Sequence, residues 1–429
     1  MVNGIVTEAK RLRIVDIFQC LKASTFIRHI SVTFVTKIAI IIIGFTSSVI
    51  TARYLGPEGK GILAVLITIT GIATQFGNFG LHSSNTYFVA HDKAKLTKII
   101  SNTLWVSIFG GFIVSLTTMA VLYSTKNLVL DVPFSLMLVA LLSIPFSLLF
   151  MLGQNILLGI QKIKAFNVFE LSKRLATFLV IFILLALLNL GVEAVVTTTT
   201  LFAAVFALLL VKNLQSVGGR CFTFDMSLFK QMARYGLKGY LACLLAFLVL
   251  RFDMLMINYF LGAKHVGVYS IAAYIVDLLC LLPITVGMIL FPKVSGMEKG
   301  SWSFTKKVVW VIGGGMFFVC LIAALLAKPF TVFFYGQAFS GAIRALWWLL
   351  PGTFLLSVNT IFMNFFAGKG MPVIVVVSPF LALVANFIMN IYLIPTFGIN
   401  GASFASSIAY LIMFAASMIY LRVNPGIKV

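Results

Sequence analysis

The sequence predicts an all-α polytopic membrane protein, with about 12 transmembrane helices arranged as two homologous six-helix lobes. Three observations predict it. First, 61% of the 429 residues are hydrophobic and 10% are charged, with a mean hydropathy of +1.09. A soluble domain is about a quarter charged. Second, apolar runs of roughly 20 residues recur along the whole chain, the length a helix needs to cross about 30 Å of hydrocarbon. The short alternating spans of a β-barrel do not occur. Third, the chain repeats itself. Arg53-Tyr54-Leu55-Gly56 followed by Gly61 returns as Asn258-Tyr259-Phe260-Leu261-Gly262 followed by Gly267, with both glycines displaced by 206 positions. Gly159 with Gly368 and Gly191 with Gly398 repeat at steps of 209 and 207. In transporters built from such repeats the substrate path lies between the halves.

The elements follow in order. Residues 1–29 are expected to form a cytoplasmic amphipathic N-terminal arm. There Ile14, Ile17, Phe18 and Leu21 fall at helical spacing with Arg13, Asp16 and Lys22 opposite, the pattern of a helix lying in the membrane interface. Residues 30–212 form the N-terminal lobe, with spans near 30–52, 62–90, 99–123, 131–159, 171–190 and 194–212. Residues 213–238 form a cytoplasmic linker carrying Gly218-Gly219, where Leu228, Phe229 and Met232 alternate with Lys230, Gln231 and Arg234 as a second interfacial helix. Residues 239–421 form the C-terminal lobe, with spans near 239–261, 266–291, 308–327, 342–367, 372–394 and 398–421, and 422–429 are a cytoplasmic tail. Spans two, four and ten exceed what the bilayer requires and should tilt, kink or protrude.

Charge sets the orientation. With the N-terminus in the cytoplasm, 24 of the 32 Lys and Arg residues fall in inside segments, Lys173 and Arg174 among them. Six fall outside (Arg53, Lys60, Lys126, Lys264, Lys328 and Arg344), and Lys37 and Arg251 lie within spans. This is a positive-inside signal, and it supports an even number of spans with both termini cytoplasmic. The net charge of +21 is thereby explained by topology and contact with anionic membrane lipids, and no nucleic-acid partner is expected. Cys20 and Cys221 lie in cytoplasmic segments and Cys243, Cys280 and Cys320 in spans, so neither disulfides nor a metal-ligand spacing is expected. No secretory signal peptide is evident.

Polar residues inside the spans are the candidates for function. Gln75, Asn78, His82 and Asn85 step by three, four and three, which places them on one face of a continuous helix. Such a stripe either joins helices, at under about 1–2 kcal/mol per bond, or lines a water-filled cavity. Charges at membrane depth cost about 2.5–3.5 kcal/mol on insertion scales and usually face a cavity or a partner. The chain places Lys37 in span one, Arg251 and Asp253 in span seven and Asp277 in span eight. Arg251 precedes Gly262 by eleven residues and Asp277 follows His265 by twelve, so both sit roughly 16–18 Å from the outer end and are level enough to pair. They form either a salt bridge within the C-terminal lobe or a cationic cavity site tuned by carboxylates. Lys37 has the reach to snorkel toward the cytoplasmic surface. Arg53, at the outer mouth, has three candidate roles: binding lipid headgroups, capping its own helix or contacting substrate.

These residues resemble a known family. Ala52-Arg53-Tyr54-Leu55-Gly56-Pro57-Glu58-Gly59-Lys60-Gly61 looks like the signature after the first helix of polysaccharide (O-antigen) flippases, members of the multidrug/oligosaccharidyl-lipid/polysaccharide exporter superfamily. Arg251-Phe252-Asp253 through Leu261-Gly262, and Gly267-Val268-Tyr269-Ser270-Ile271-Ala272-Ala273-Tyr274, are similar to the family's seventh and eighth helices. Phe291-Pro292-Lys293 resembles its exit from helix eight. The resemblance implies a V-shaped pair of six-helix bundles around a central cavity, working by alternating access. It implies an undecaprenyl-pyrophosphate-linked oligosaccharide as cargo, moved to the outer leaflet of a bacterial inner membrane in company with other polysaccharide assembly proteins. A pyrophosphate suits Arg53, Lys37 or Arg251, with Arg the better bidentate partner. The sugar suits Gln75, Asn78, His82 and Asn85. Relatives of the lipid-linked peptidoglycan flippase type keep an arginine near the position of Arg53.

Two other classes are weighed against this. A cation-coupled drug or metabolite antiporter of the same superfamily would use Asp253 or Asp277 as a proton or sodium site, and the basic first lobe argues against it. A membrane enzyme would need a carboxylate or histidine cluster in a sizeable loop, and the outside loops are short and poor in such groups. No phosphate-binding glycine loop, nucleophile elbow or zinc motif occurs, so no cofactor and no direct use of ATP is expected. Coupling is left open between the membrane potential, worth about 2.3 kcal/mol per charge at 100 mV, and an ion gradient.

Overall fold

The computed structural model describes the backbone of residues 2–125, 131–219 and 222–428 and the side chains of 32–125, 131–219 and 222–427. The arm side chains Ile14, Ile17, Phe18 and Leu21, with Cys20, Lys126, Arg220, Cys221 and Lys428, lie outside the described residues. The first lobe comprises α1 (Val2–Gly77), α2 (Leu81–His91), α3 (Leu96–Trp105), α4 (Gly111–Ser124), α5 (Phe134–Gly159), α6 (Ile163–Phe182) and α7 (Val192–Gly218). The second comprises α8 (Met226–Leu261), α9 (Ala263–Ser295), α10 (Ser301–Tyr335), α11 (Gly341–Gly368), α12 (Ile374–Phe397) and α13 (Ile399–Val423).

Among the described residues, ten segments are long and apolar enough to cross a membrane. The first, Val32–Gly77, reverses at Gly56 and supplies two spans, so that Lys60 of the second limb donates to Thr51 Oγ1 of the first at 2.9 Å. A twelfth span is α6, prolonged by a π-helical turn over Ile183–Leu187 and made less apolar by Glu170, Lys173 and Arg174. It starts eight residues before the expected 171, because the basic residues that depress hydropathy there are themselves helical.

The internal repeat is realised in three dimensions. Gly56 (φ 67°, ψ −176°) and Gly262 (φ 85°, ψ 170°) take the same left-handed, extended conformation between consecutive helices, which costs glycine little. Gly159 and Gly368 close α5 and α11, and Gly191 and Gly398 precede α7 and α13. A Cβ on Gly159 would lie 3.0 Å from the Thr86 carbonyl, and one on Gly368 would lie 3.1 Å from that of Phe291. The same close helix crossing therefore recurs in each lobe. In lipid, where apolar surface gains little by leaving its solvent, such small-residue crossings are the main means of helix association.

Two expectations change. The linker's interfacial helix is the first stretch of α8, which begins at Met226 behind the Asp225 cap and continues unbroken into the second lobe. Its Leu228 and Met232 are buried with Leu81, Val89 and Leu96 of the first lobe. The second change concerns the polar stripe. The helix stops at Gly77 and restarts at Leu81, with Phe79 at φ 47° and Gly80 at φ 78°. Gln75 and Asn78 are therefore not in helical register with His82 and Asn85.

Candidate functional site

The lobes meet at the end of the molecule that carries the Gly56 and Gly262 turns. A Cβ on Gly61 would fall 1.7 Å from the Ala263 carbonyl oxygen, and one on Gly267 would fall 1.8 Å from that of Pro57. The repeat-related turns thus cross backbone against backbone. Two charged clasps flank this seam. Arg53 Nε donates to the Phe334 carbonyl at 2.7 Å and Nη2 to that of Phe333, capping the C-terminal end of α10 in the other lobe. The Ala263 amide, at the N-terminus of α9, donates to Asp131 Oδ2 at 2.8 Å. A cation meets the negative end of one helix dipole and an anion the positive end of another. Phe45 packs beside them on Phe334 and Phe330, at centroid distances of 5.0 and 5.7 Å. A recess of about 380 Å³ lies here between Arg53 and Gly56 on one side and Tyr335, Gly336 and Phe339 on the other. Of the three roles expected for Arg53, the structure shows none directly; its hydrogen bonds go to the opposite lobe.

At mid-depth Arg251 Nη2 and Asp277 Oδ2 pair at 2.6 Å, with 24% and 35% of their side chains exposed. Eleven residues before Gly262 and twelve after His265, the two side chains do lie at one level. Asp253, two residues along, points into the lobe and is 2% exposed. Its carboxylate accepts from the Met254 amide at 2.8 Å, from Ser406 Oγ at 3.2 Å and from the Tyr269 hydroxyl. Asn386 donates to Ser406 at 3.2 Å and Asn390 to Asn386 at 2.9 Å, extending this network along α12. Tyr269, Asn386, Asn390 and Ser406 are not among the residues expected from sequence, although Asn386 and Asn390 stand four apart in an apolar span, the spacing of one helix face.

The stripe divides. Asn85 is fully buried and donates to Thr103 Oγ1 and the Leu152 carbonyl, both at 3.1 Å, so its amide joins α2 to α3 and α5 rather than lining a cavity. Asn78, 2% exposed, accepts from the His82 amide at 3.0 Å, and its amide nitrogen lies 3.0 Å from His82 Nδ1. It starts α2 after the break. Gln75 and His82 remain half-buried, and Lys37 is exposed. The structure does not gather these residues with Arg53 or Arg251 into one pocket. Lys173 and Arg174, expected near the cytoplasmic edge, lie ten and eleven residues inside α6.

The following similarities stand beside this geometry. Residues 26–298, more than half of the chain, match the family model described as polysaccharide biosynthesis protein. A Shigella flexneri protein provisionally named an O-antigen transporter is 26% identical over 329 residues, 73% of each chain. An uncharacterised membrane protein of Methanocaldococcus jannaschii is 28% identical over 207 residues, 46% of this chain and 40% of that one, less than half its length. The lipid II flippase MurJ in an inward closed conformation superposes with a TM-score of 0.72 at 15% identity, over 91% of this chain and 87% of that one. An inward-facing multidrug resistance MATE family transporter of the MOP superfamily gives 0.68 at 17% identity, over 91% and 95%. At these identities the likeness is one of fold.

Proposed function

Because the chain belongs to the polysaccharide biosynthesis protein family, we propose that it is a flippase for a lipid-linked oligosaccharide. The cargo is an undecaprenyl-pyrophosphate-linked repeat unit of O-antigen or another surface polysaccharide, moved across the bacterial inner membrane by alternating access. The observation that carries this reading is Arg251. It is a half-screened guanidinium at mid-membrane depth, balanced by one carboxylate at 2.6 Å. A partly exposed cation so placed attracts a diphosphate and costs free energy to keep there. The positive-inside bias supports an outer turn end and cytoplasmic termini. The conformation is then closed outside by the glycine seam and the Arg53 and Asp131 clasps, and these must part when the cargo leaves outward. The glycan travels between the lobes while the polyprenyl tail stays in lipid.

The test is deletion and rescue in the native host, with lipids extracted to find the leaflet on which the undecaprenyl-linked unit accumulates. Inner-leaflet accumulation, relieved by wild type and not by Arg251→Ala, is the expected result. Unchanged surface polysaccharide with no trapped intermediate contradicts the proposal. A cation-coupled antiporter is the second reading, favoured by one observation: the Asp253 carboxylate enclosed by Tyr269, Ser406 and the Met254 amide. As an ion-coupling group it predicts that Asp253→Asn with Asp277→Asn alters transport driven by a proton or sodium gradient. Transport unchanged under both gradients removes that role.

A further inference from the structure

Two cations on α6 stand where neither the fold nor the topology requires them. Lys173 and Arg174 follow the start of α6 by ten and eleven residues, about 15–17 Å along its axis. A guanidinium bare to hydrocarbon at that depth is costly, yet 59% of the Arg174 side chain is exposed. Its face is set by Asn167, seven residues earlier on α6, which donates to Thr33 Oγ1 of α1 at 2.9 Å. Arg174 turns the same way, toward α1 and the Tyr274 hydroxyl of α9, which lies within its electrostatic reach as it does within that of Asp277. Tyr274 is eleven residues from the opposite end of its helix, so it is level with Arg174 to within about 5 Å. A Cβ on Gly44 of α1 would lie 3.2 Å from the same hydroxyl. Arg174 therefore borders the cleft between the lobes, opposite the Arg251–Asp277 pair.

The repeat supplies an internal control. Positions 206–209 after Lys173 and Arg174 are Pro379, Phe380, Leu381, Ala382 and Leu383, all apolar. Positions 206–209 before Arg251 are Ile42, Ile43, Gly44 and Phe45, also apolar. The same fold is built twice, and each half builds it without the other half's cation. Counter-charge is also lopsided. Arg251 has a close carboxylate, whereas Arg174 Nε is 3.8 Å from Glu170 Oε1. Among the described residues Lys173 makes no ion pair, and its ammonium sits 4.0 Å from the Phe150 ring. Two cations share one loosely held carboxylate.

We propose that Lys173 and Arg174 form the first-lobe half of an anion site that takes the diphosphate of the lipid-linked cargo, Arg174 leaving Glu170 for it. The guanidinium fork suits two phosphate oxygens, and the flexible ammonium supplies a point charge beside it. Arg251 faces the site from the second lobe, so closure around the diphosphate couples the lobes. The proposal rests on the flippase reading and assigns it residues.

The test uses the full-length protein in nanodiscs of zwitterionic lipid, with undecaprenyl pyrophosphate, undecaprenyl monophosphate and inorganic pyrophosphate as probes. Wild type is expected to bind the pyrophosphate lipid tightest, in a salt-dependent manner. Arg174→Ala and Lys173→Gln are expected to weaken binding about tenfold or more, with Arg174→Lys intermediate. Glu170→Gln is expected to tighten binding, a gain that misfolding does not mimic. Wild-type affinity in both Arg174→Ala and Lys173→Gln, with loss only in Arg251→Ala, overturns this site and leaves the flippase reading standing. Equal affinity for inorganic pyrophosphate overturns a lipid-borne ligand. Failure of wild type to bind either pyrophosphate compound overturns the flippase reading and this site with it.

Discussion

At Arg251 one guanidinium is paired with the Asp277 carboxylate at 2.6 Å, with about a quarter of its side chain exposed. Removing it leaves Asp277 at membrane depth without its counter-charge, so Arg251→Ala should lower export at least tenfold. Arg251→Lys, which keeps the charge and loses the fork, should retain part; normal export by the Ala variant would make Arg251 dispensable. Asn85 should behave oppositely. Its two hydrogen bonds hold α2 to its neighbours, so Asn85→Ala should cost about 1–2 kcal/mol of stability. Thermal unfolding in detergent checks this, alongside transport per folded molecule, which should be unchanged. The pairing of Arg251 with Asp277 was legible because counting residues from a turn glycine gives depth. The roles of Asn78 and Asn85 were not, because spacing gives a helix face only while the helix is continuous. Gly77, Asn78 and Gly80 are turn formers, but two glycines and one asparagine do not by themselves fix a break in an otherwise apolar span, and Phe79 takes a positive φ of 47° there.

Among the elements, the glycine turns are where the lobes are joined and, on the flippase proposal, where they part. A methyl group on Gly61 meets the Ala263 carbonyl at 1.7 Å, and backbone there has no side chain to move aside. Gly61→Ala and Gly267→Ala should therefore spread the seam. Ala52, fully buried beside Arg53, reports it. With Ala52→Cys as background, a membrane-impermeant maleimide should label the glycine variants and Arg53→Ala several-fold faster than the parent. Equal labelling would mean that the seam does not hold this end closed. The start of α8 gives a pH-dependent case. The Leu228 amide and then Lys98 hold the Asp225 carboxyl below its ordinary range. Its contribution is thus complete above the unfolded value of about 3.9 and fades as pH falls through the lowered one. Asp225→Asn should lower the melting temperature at neutral pH, and the gap to wild type should close below about pH 4. The glycine offsets made the repeat legible before any helix was placed. The α6 start was hidden because Lys162, Lys164, Glu170, Lys173 and Arg174 read as a polar loop to any hydropathy window.

Over the whole molecule, the two lobes share a fold and differ in charge. The first carries cations on α6, and the second carries the Arg251–Asp277 pair and the enclosed Asp253. That division fits a carrier whose anionic cargo is gripped from both sides and released when the lobes re-pair at the other end. Fold class and lobe count followed from composition and repeat alone, since helices that must satisfy their own backbone in lipid leave few alternatives. Cargo chemistry is harder to read, because it depends on which side chains meet across the cleft. The most direct test of the central claim is transport by the purified protein in proteoliposomes. A fluorescent undecaprenyl-pyrophosphoryl oligosaccharide would be loaded in the inner leaflet, and its arrival outside followed by an impermeant quencher. The account predicts leaflet exchange well above protein-free vesicles, lost in Arg251→Ala. No exchange by wild type, with gradient-driven export of a cationic dye from the same vesicles, would contradict it.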